Sequence, residues 1–521
     1  MREFNTTGLC NPNKHYMVDI TDKLVQIEKM IAKGKYFTIN RARQYGKTTT
    51  LRRLRRFLAE HYTVISLSFE SWGDSNFSTE KTFCQTFLED ASFSLKQTHE
   101  PISYGEEWLN PAVDNFKKLQ RHISSLCQGK KIVLMIDEVD KISNNRIFLN
   151  FLGILRDSYL DREDEIAATF QSVILTGLYD IKNIKLKMIG DGAHIPLEEE
   201  NHLRNSPWNI ASEFSVQMSF SSSEIVTMLE EYKQDTKTNM DTKTVAEELF
   251  SYTSGYPFMV SRLCQLIHDK LDKDWTIYGV RKAVSLLVRE DNQLFVDMSK
   301  NLENNRQLYE SLYAVLILGH SQSFSYDNPV IEMAARYGYI KDRNGKIQIS
   351  NKIFETRMMN YFVSKNEVAQ PLAKTNALYH RITVGSSFDM QLCLQKFAEF
   401  YHREIYPTKD KKFLEEHYRI VFLTYLKPLL NGVGHYHQES KLIDDTRMDL
   451  VVNYFQQEFI IELKRIFTES DRTGGIQQLL EYMDKRHAAT GYYLTFDFRK
   501  KSESRSEWLE LEGKRILEIS V

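Results

Sequence analysis

Two groups of residues in this 521-residue chain have the types and spacings of phosphate chemistry. The first is Arg41-Ala-Arg-Gln-Tyr-Gly46-Lys47-Thr48. It follows the phosphate-loop pattern G-x-x-x-x-G-K-[ST], with Arg41 standing where the first glycine belongs. Tyr36–Ile39 reads as a buried strand before the loop, and Thr48–Glu60 as a helix after it. Strand, tight loop and helix N-terminus aim backbone N–H groups and the helix dipole at one point, which suits an anion. Arg43, Gln44, Tyr45, Gly46, Lys47, Thr48 and Thr49 are therefore the expected nucleotide contacts. Lys47 would reach the β- and γ-phosphates, and Thr48 would hold Mg²⁺. Downstream, the apolar run Lys131-Ile-Val-Leu-Met-Ile ends in Asp137-Glu138. Such a run fits a parallel strand covered on both faces. At its end Asp137 is expected to assist the Mg²⁺ and Glu138 to polarise the attacking water.

The second group is Asp449, Glu462 and Lys464. Thr446–Val452 begins one strand, Asn453–Glu458 contains a turn, and Phe459-Ile-Ile-Glu462-Leu-Lys464 returns as another. Two-residue periodicity puts Glu462 and Lys464 on one face, and the hairpin can bring Asp449 beside them. Two carboxylates and a lysine converging make a hard-cation site with an adjacent positive charge, the equipment of metal-assisted hydrolysis. Lys464 would orient water or stabilise the transition state. Val451, Val452, Ile460 and Ile461 are apolar on both sides of these strands, so the charges sit on a covered sheet and need partners.

The elements that must position these groups are legible in outline. Thr63–Phe69 and Ser172–Thr176 read as further strands of the first sheet, with Thr176 at the end where a γ-phosphate is sensed. Helical segments lie between them, as a doubly wound sheet requires. From about Ser221 the chain turns helical, with serines ahead of an acidic first turn. Gly255-Tyr-Pro257 reads as a turn that starts a new helix carrying Arg262. Asn328–Phe362 reads as helix, hairpin with an Asn-Gly turn, and helix. The polar stretch Ser364–Thr375 reads as a linker. Arg52-Arg-Leu-Arg-Arg56 is the strongest basic cluster and reads as a solvated helix face. Arg156 and Arg162 follow the Asp-Glu strand without a legible role.

These residues carry a resemblance. R-x-R-Q-Y-G-K-T, the Asp-Glu strand, Leu175-Thr-Gly-Leu-Tyr-Asp180 and Ser206-Pro-Trp-Asn-Ile210 resemble the bacterial AAA-ATPase-like family, which tolerates Arg41 at the loop start. The resemblance extends to Asn11–Val18, where His15 and Tyr16 would lie near the adenine. Gly255-Tyr-Pro257 resembles the G-x-P motif of STAND signalling ATPases, whose proline packs near the base. The segment Asn328–Phe362 resembles a winged helix. The C-terminal region resembles the PD-(D/E)XK nuclease superfamily. That likeness implies catalytic Asp449, Glu462 and Lys464, a Gln478-x-x-x-Tyr482 element on the following helix, and Glu416 as a further metal-facing acid. Arg447 and Glu439-Ser440 match the family's residues around the Asp.

The expected fold class is α/β: a P-loop NTPase (ASCE/AAA-like) parallel sheet with a helical lid and winged-helix-like region, then an α/β restriction-endonuclease-like domain. The expected domains are 1–220, 221–365 and 372–521. The function implied is an ATPase with ATP and Mg²⁺ as cofactors, coupled to a Mg²⁺-dependent nuclease acting on DNA. The alternative is a STAND-like switch whose last domain binds nucleic acid or protein without cleavage. With 68 basic against 70 acidic residues, no global field draws the chain to nucleic acid. Five scattered cysteines form no C-x-x-C pair, which excludes a legible zinc site or disulfide framework. The expected setting is cytoplasmic, with no membrane partner and with homo-oligomerisation open.

Overall fold

The computed structural model describes residues 2–98, 100–139, 145–177, 208–369, 382–384, 387–406, 411–430, 434–439, 448–499 and 505–521. The side chains of 366–369, 384, 404, 411, 413, 416, 438–439 and 448–449 are outside that description. The chain forms two compact units. The first comprises Met1–Tyr232 with Tyr256–Phe258 and Asp327–Gly338; the second comprises Lys233–Gly255, Met259–Tyr326 and Tyr339–Val521.

The first unit is built on four parallel strands: β1 (Phe37–Asn40), β2 (Thr63–Ser68), β3 (Ile132–Asp137) and β4 (Ser172–Gly177). Their spatial order is β1-β4-β3-β2. Every residue of β3 and β4 is buried, as their unbroken apolar runs require. Because β4 lies between β1 and β3, the loop after β1 and the acids after β3 flank Thr176 at the same sheet edge. Asparagine and threonine side chains cap the helices on either side: Thr79, Asn115 and Asn145 each accept a first-turn backbone N–H. Phe69, Phe83, Phe87, Phe148 and Phe151, all fully buried, fill the core below β2 and β3. Each such side chain contributes about 1.5–3 kcal/mol through burial.

Two side chains fasten the edge strand β1. Trp208 is wholly buried, donates Nε1–H to Thr38 Oγ1 at 3.0 Å and stacks on Tyr36 at 6.0 Å between centroids. Arg162 donates to the carbonyls of Gly34 (2.6 Å), Phe170 (2.6 Å) and Gln171 (2.9 Å), and its guanidinium lies over Tyr36 and Tyr159. It ties the starts of β1 and β4 together and is a structural clamp. Of the Leu175–Asp180 and Ser206–Ile210 motifs, residues 178–180 and 206–207 lie outside the described residues.

In the second unit, β5 (Ile340–Arg343) and β6 (Lys346–Ile349) form the expected hairpin. Asn344 and Gly345 adopt φ of 53° and 78°, the left-handed pair of a two-residue turn. The helix Pro329–Arg336 ahead of it belongs to the first unit, so the helix–hairpin–helix stretch is divided between the two. The helix after it runs Lys352–Ala369, through the start of the stretch read as a linker. Its buried residues Phe354, Met358, Met359, Phe362 and Val363 give it a tertiary anchor that the polar composition beyond Ser364 conceals.

A short pair, β7 (Thr383–Val384) and β8 (Ser387–Phe388), precedes the second unit's main sheet. That sheet contains β9 (His435–Glu439), β10 (Met448–Tyr454), β11 (Gln457–Ile466), β12 (Thr490–Asp497), β13 (Ser506–Leu511) and β14 (Lys514–Ser520). Its order is β13-β14-β12-β11-β10-β9. β9, β10 and β11 form an antiparallel meander; the helix Glu469–Lys485 then crosses to β12, which runs parallel to β11. The turn between β10 and β11 is only Phe455-Gln456, with Phe455 at φ 49°. Val451, Val452, Ile460 and Ile461 are all buried, so both faces of the hairpin are covered. Among the described residues no helix is long and apolar enough to cross a membrane.

Candidate nucleotide and metal sites

The loop after β1 turns through two left-handed residues, Gln44 (φ 56°) and Gly46 (φ 76°), and Gly46 caps the helix Lys47–Leu58. A Cβ on Gly46 would meet no atom within 4 Å. The space over the helix N-terminus is open where a phosphate would bind. Lys47 Nζ donates to the carbonyls of Arg41 (2.9 Å) and Ala42 (3.3 Å), inside its own loop. Thr48 Oγ1 donates to Asp137 Oδ2 at 2.7 Å, and Thr176 Oγ1 donates to Asp137 Oδ1. Thus the side chains of Thr48, Asp137 and Thr176, drawn from three elements, form one hydrogen-bonded chain at the sheet edge. A hydroxyl beside a carboxylate, next to an open helix N-terminus, fits Mg²⁺ and a nucleotide triphosphate. Glu138 follows at φ 59°, a conformation unusual for a long side chain, and its N–H donates to Asp137 Oδ1 at 3.0 Å.

Arg41 does not enter the loop interior. Its guanidinium lies over Phe214 at 5.5 Å and donates to the Val216 carbonyl at 3.1 Å and its neighbour's carbonyl at 2.8 Å. The bulk at the missing glycine is turned onto the segment Phe214–Val216. Thr49 Oγ1 accepts the N–H of Cys10 at 3.4 Å, which brings the N-terminal segment to the loop. His15 accepts the Asn11 N–H at 2.9 Å, and Tyr16 is buried among Phe4 and Tyr232. Both serve packing among the contacts seen.

The turn before Pro257 contributes a residue that the sequence reading passed over. Tyr256 donates its hydroxyl to the Arg43 carbonyl at 2.5 Å and meets the ring of Tyr45 edge-on at 4.6 Å. Tyr45 in turn shares a 2.6 Å hydrogen bond with Ser219, and burial raises its hydroxyl pKa. Pro257 starts the helix Pro257–Lys270, and its tyrosine neighbour, rather than the ring of Pro257, makes the hydrogen bond to the loop. The signal was available: an aromatic inside G-x-P beside an aromatic inside the phosphate loop. Arg262 is bound by both carboxylate oxygens of Glu290 at 2.6–3.1 Å. It is an ion-pair residue of the second unit. In the basic cluster, Arg53 donates to the Val18 carbonyl at 2.7 Å and Arg55 to the Ser94 carbonyl at 2.9 Å. These arginines tie the helix to its neighbours.

In the second unit Glu462 is buried at 2 % exposure on β11, and Lys464 lies two residues further on the same face. The β10–β11 register pairs Leu450 with Ile461. Asp449 precedes Leu450 on β10. The side chains of Asp449 and Glu416 lie outside the described residues, as do Arg447, Ser440 and the side chain of Glu439. Among the described residues no group of three His, Cys, Asp or Glu side chains could hold a metal ion. The helix Glu469–Lys485 covers this face. Gln478 accepts from Lys464 Nζ at 3.3 Å, so the helix and the strand meet at the lysine. Tyr482 departs from its partner. It packs in the core with Val451 and Ile460, and its hydroxyl accepts Nε–H of Arg486 at 3.0 Å. The four-residue spacing is right, but the apolar ring is held by the core. Across the same rung, Glu462 pairs with Tyr493 and Tyr493 with Glu518, which Arg472 holds through Nε at 2.7 Å.

A family model described as an AAA-like domain matches residues 11–363, more than half of the chain. The chain belongs to the AAA-like domain family. Its family segment therefore takes in the phosphate loop, Asp137, Thr176, Trp208, Tyr256 and the β5–β6 hairpin, and ends before the six-stranded sheet. A search of the curated proteins found no match. Among solved structures, this AAA-like protein is similar to the Walker-type ATPase of Pyrococcus abyssi, at 14 % identity and a TM-score of 0.46, covering 68 % of this chain and 99 % of that one. It is similar to the Aeropyrum pernix ORC2 protein, solved as ADPNP–ADP complexes, at 13 % identity and a TM-score of 0.31, covering 70 % and 98 %. The Aeropyrum pernix ORC1 protein in complex with DNA gives 13 % identity and a TM-score of 0.28, covering 68 % and 95 %.

Proposed function

We propose that this AAA-like protein binds and hydrolyses ATP at the loop Arg43–Thr49, and that the nucleotide controls a Mg²⁺-dependent nuclease site at Asp449, Glu462 and Lys464 acting on DNA. The observation that carries the ATP half is the Thr48–Asp137–Thr176 hydrogen-bond chain beside the open N-terminus at Gly46. On nucleotide binding, Lys47 exchanges two loop carbonyls for phosphate oxygens. Thr48 and Asp137 would hold the Mg²⁺, Glu138 would take the proton of the attacking water, and Thr176 would report on the γ-phosphate.

The cleavage half is supported by topology. An antiparallel meander followed by a helix and a parallel strand carries Asp449 on β10 and Glu462 on β11, with Lys464 two residues on. Asp449, Glu462 and Glu416 would hold the cation, which when bound supplies Lewis-acid assistance to phosphodiester hydrolysis. Lys464, steadied by Gln478, places a positive charge beside the scissile phosphate. The test is strand cleavage with Mg²⁺ by wild type and Glu462→Ala; equal cutting by the two proteins would remove Glu462 from the mechanism.

A second reading is favoured by Tyr256. Its hydrogen bond fastens the turn ahead of a fourteen-residue helix to the phosphate loop. That is the wiring of a STAND-like switch, whose C-terminal unit would bind nucleic acid or protein without cutting. Retention of labelled DNA with no strand loss, in Mg²⁺ and in Mn²⁺, would favour the switch.

A further inference from the structure

Phe467, the first residue past the end of β11, is 48 % exposed, while Phe498, the first residue past the end of β12, is buried. The two rings stack at 5.8 Å between centroids and 24° between planes, and the Phe498 N–H donates to the Ile466 carbonyl at 3.0 Å. Asp471 fixes the backbone of the exposed ring. Its carboxylate accepts the N–H of Phe467 at 3.1 Å and that of Thr468 at 2.8 Å, within the capping box that starts the helix Glu469–Lys485. The ring is thus half in water yet carried on a fixed backbone. One exposed ring is ordinary on a protein surface. Here a cation stands beside it.

Arg465 is exposed, and its guanidinium lies over the rings of Tyr418 at 5.6 Å and Phe467 at 6.0 Å. It donates to the Glu415 carbonyl at 3.1 Å and meets no carboxylate among the described residues. The nearby arginines differ: Arg499 is held by Asp497 and Glu469, and Arg472 by Glu518 and Glu469. The charge of Arg465 is therefore open to an anion, and a phosphate offers it an ionised acceptor in place of a carbonyl. Asp471 relates this surface to Lys464. Its carboxyl is held below the usual pKa first by the Thr468 hydroxyl and in lesser part by the Lys464 ammonium, so the lysine lies within electrostatic reach of the turn that carries Phe467. Three residues of extended chain put Phe467 within about 10 Å of Lys464.

We propose that Phe467 and Arg465 form a platform for a single nucleic-acid strand. An unpaired base stacks on the Phe467 ring, and a backbone phosphate meets Arg465. Inside a closed duplex the faces of the bases are stacked on one another and only their edges reach the grooves. The ring therefore selects a strand that is single or frayed. Every base has a face to stack, so the platform is indifferent to sequence. The inference deepens the cleavage reading and rests on it: Lys464 is the group set beside the scissile phosphate, and the platform names the strand form delivered there.

The test is equilibrium binding of a labelled mixed-sequence DNA of about 20 nucleotides, longer than the ~4–16 that one binding fold covers. It is offered to the full chain as a single strand and as a blunt duplex, in EDTA so that no cleavage occurs. Wild type should bind the single strand more tightly. Phe467→Ala should weaken that binding about fivefold or more and move duplex binding by less than about twofold. Phe467→Trp should restore it, with the added indole fluorescence quenched by the strand. Arg465→Ala should lower the slope of log K against log salt by about 0.7, the counterion release of one phosphate on a single strand. All three variants should melt with wild type; if Phe467→Ala melts lower, the Phe467→Trp result decides. The platform is overturned if the single strand does not bind, if Phe467→Ala leaves its binding unmoved or weakens the duplex equally, or if Phe467→Trp does not restore it. The cleavage reading fails separately, if Glu462→Ala cuts as wild type does.

Discussion

Lys47 shows how one residue can be ready for a ligand. Its ammonium is satisfied by two carbonyls of its own loop, and phosphate oxygens offer a stronger, charge-assisted replacement. Lys47→Ala should weaken ATP binding about a hundredfold, read by equilibrium titration. Glu138, proposed as the base, follows β3 in a left-handed backbone conformation. Glu138→Gln should keep ATP binding and slow hydrolysis by roughly 10²–10⁴; unchanged turnover would remove it as the base. Arg41 is the opposite case. Because its side chain packs on Phe214 and Val216, restoring a glycine there should cost about 1 kcal/mol of stability and leave ATP affinity within a few-fold. A large loss of affinity in Arg41→Gly would place the guanidinium at the phosphates instead. The acid side of the second unit's stability should begin at His435. Its folded pKa is depressed, so its contribution is complete above the unfolded value near 6.5 and is lost as pH falls below it, at about 1.4 kcal/mol per pH unit. Depressed Glu469, Asp471 and Asp497 follow only below about 4.5. Denaturation of wild type and His435→Asn between pH 7 and 5 should therefore diverge.

At the scale of elements, what was legible is what local pattern controls. The unbroken apolar runs of β3 and β4, the Gly46-Lys47-Thr48 helix start and the Asn344-Gly345 hairpin all follow from short-range rules. That Ser172–Thr176 is a further strand of this sheet was legible, but its place between β1 and β3 was not. What was not legible depends on partners distant in sequence. Trp208 meets Thr38 across 170 positions and Tyr256 meets Arg43 across 213. No periodicity encodes those pairs. Tyr482 had the right spacing, yet a core of Val451 and Ile460 claims its ring. Trp208→Phe loses the bond to Thr38 and leaves part of the buried indole's space unfilled. It should lower stability by about 1–3 kcal/mol, seen as an earlier unfolding transition in calorimetry; an unchanged transition would mean that β1 is fastened elsewhere.

At the scale of the molecule, one chain joins an AAA-like segment over residues 11–363 to a six-stranded mixed sheet with its own core. The helix Pro257–Lys270 begins in the first unit and continues in the second. A nucleotide that displaces Tyr256 from the Arg43 carbonyl would act on the start of that helix. The central claim is that ATP at Lys47 governs chemistry at Glu462. The direct measurement is Mg²⁺-dependent DNA cleavage, with and without ATP, by wild type, Lys47→Ala and Glu462→Ala. The account predicts that wild type cuts at a rate ATP changes, that Lys47→Ala loses the ATP effect, and that Glu462→Ala loses cleavage while still binding ATP. Cutting by Glu462→Ala at the wild-type rate, or an undiminished ATP effect in Lys47→Ala, would contradict it.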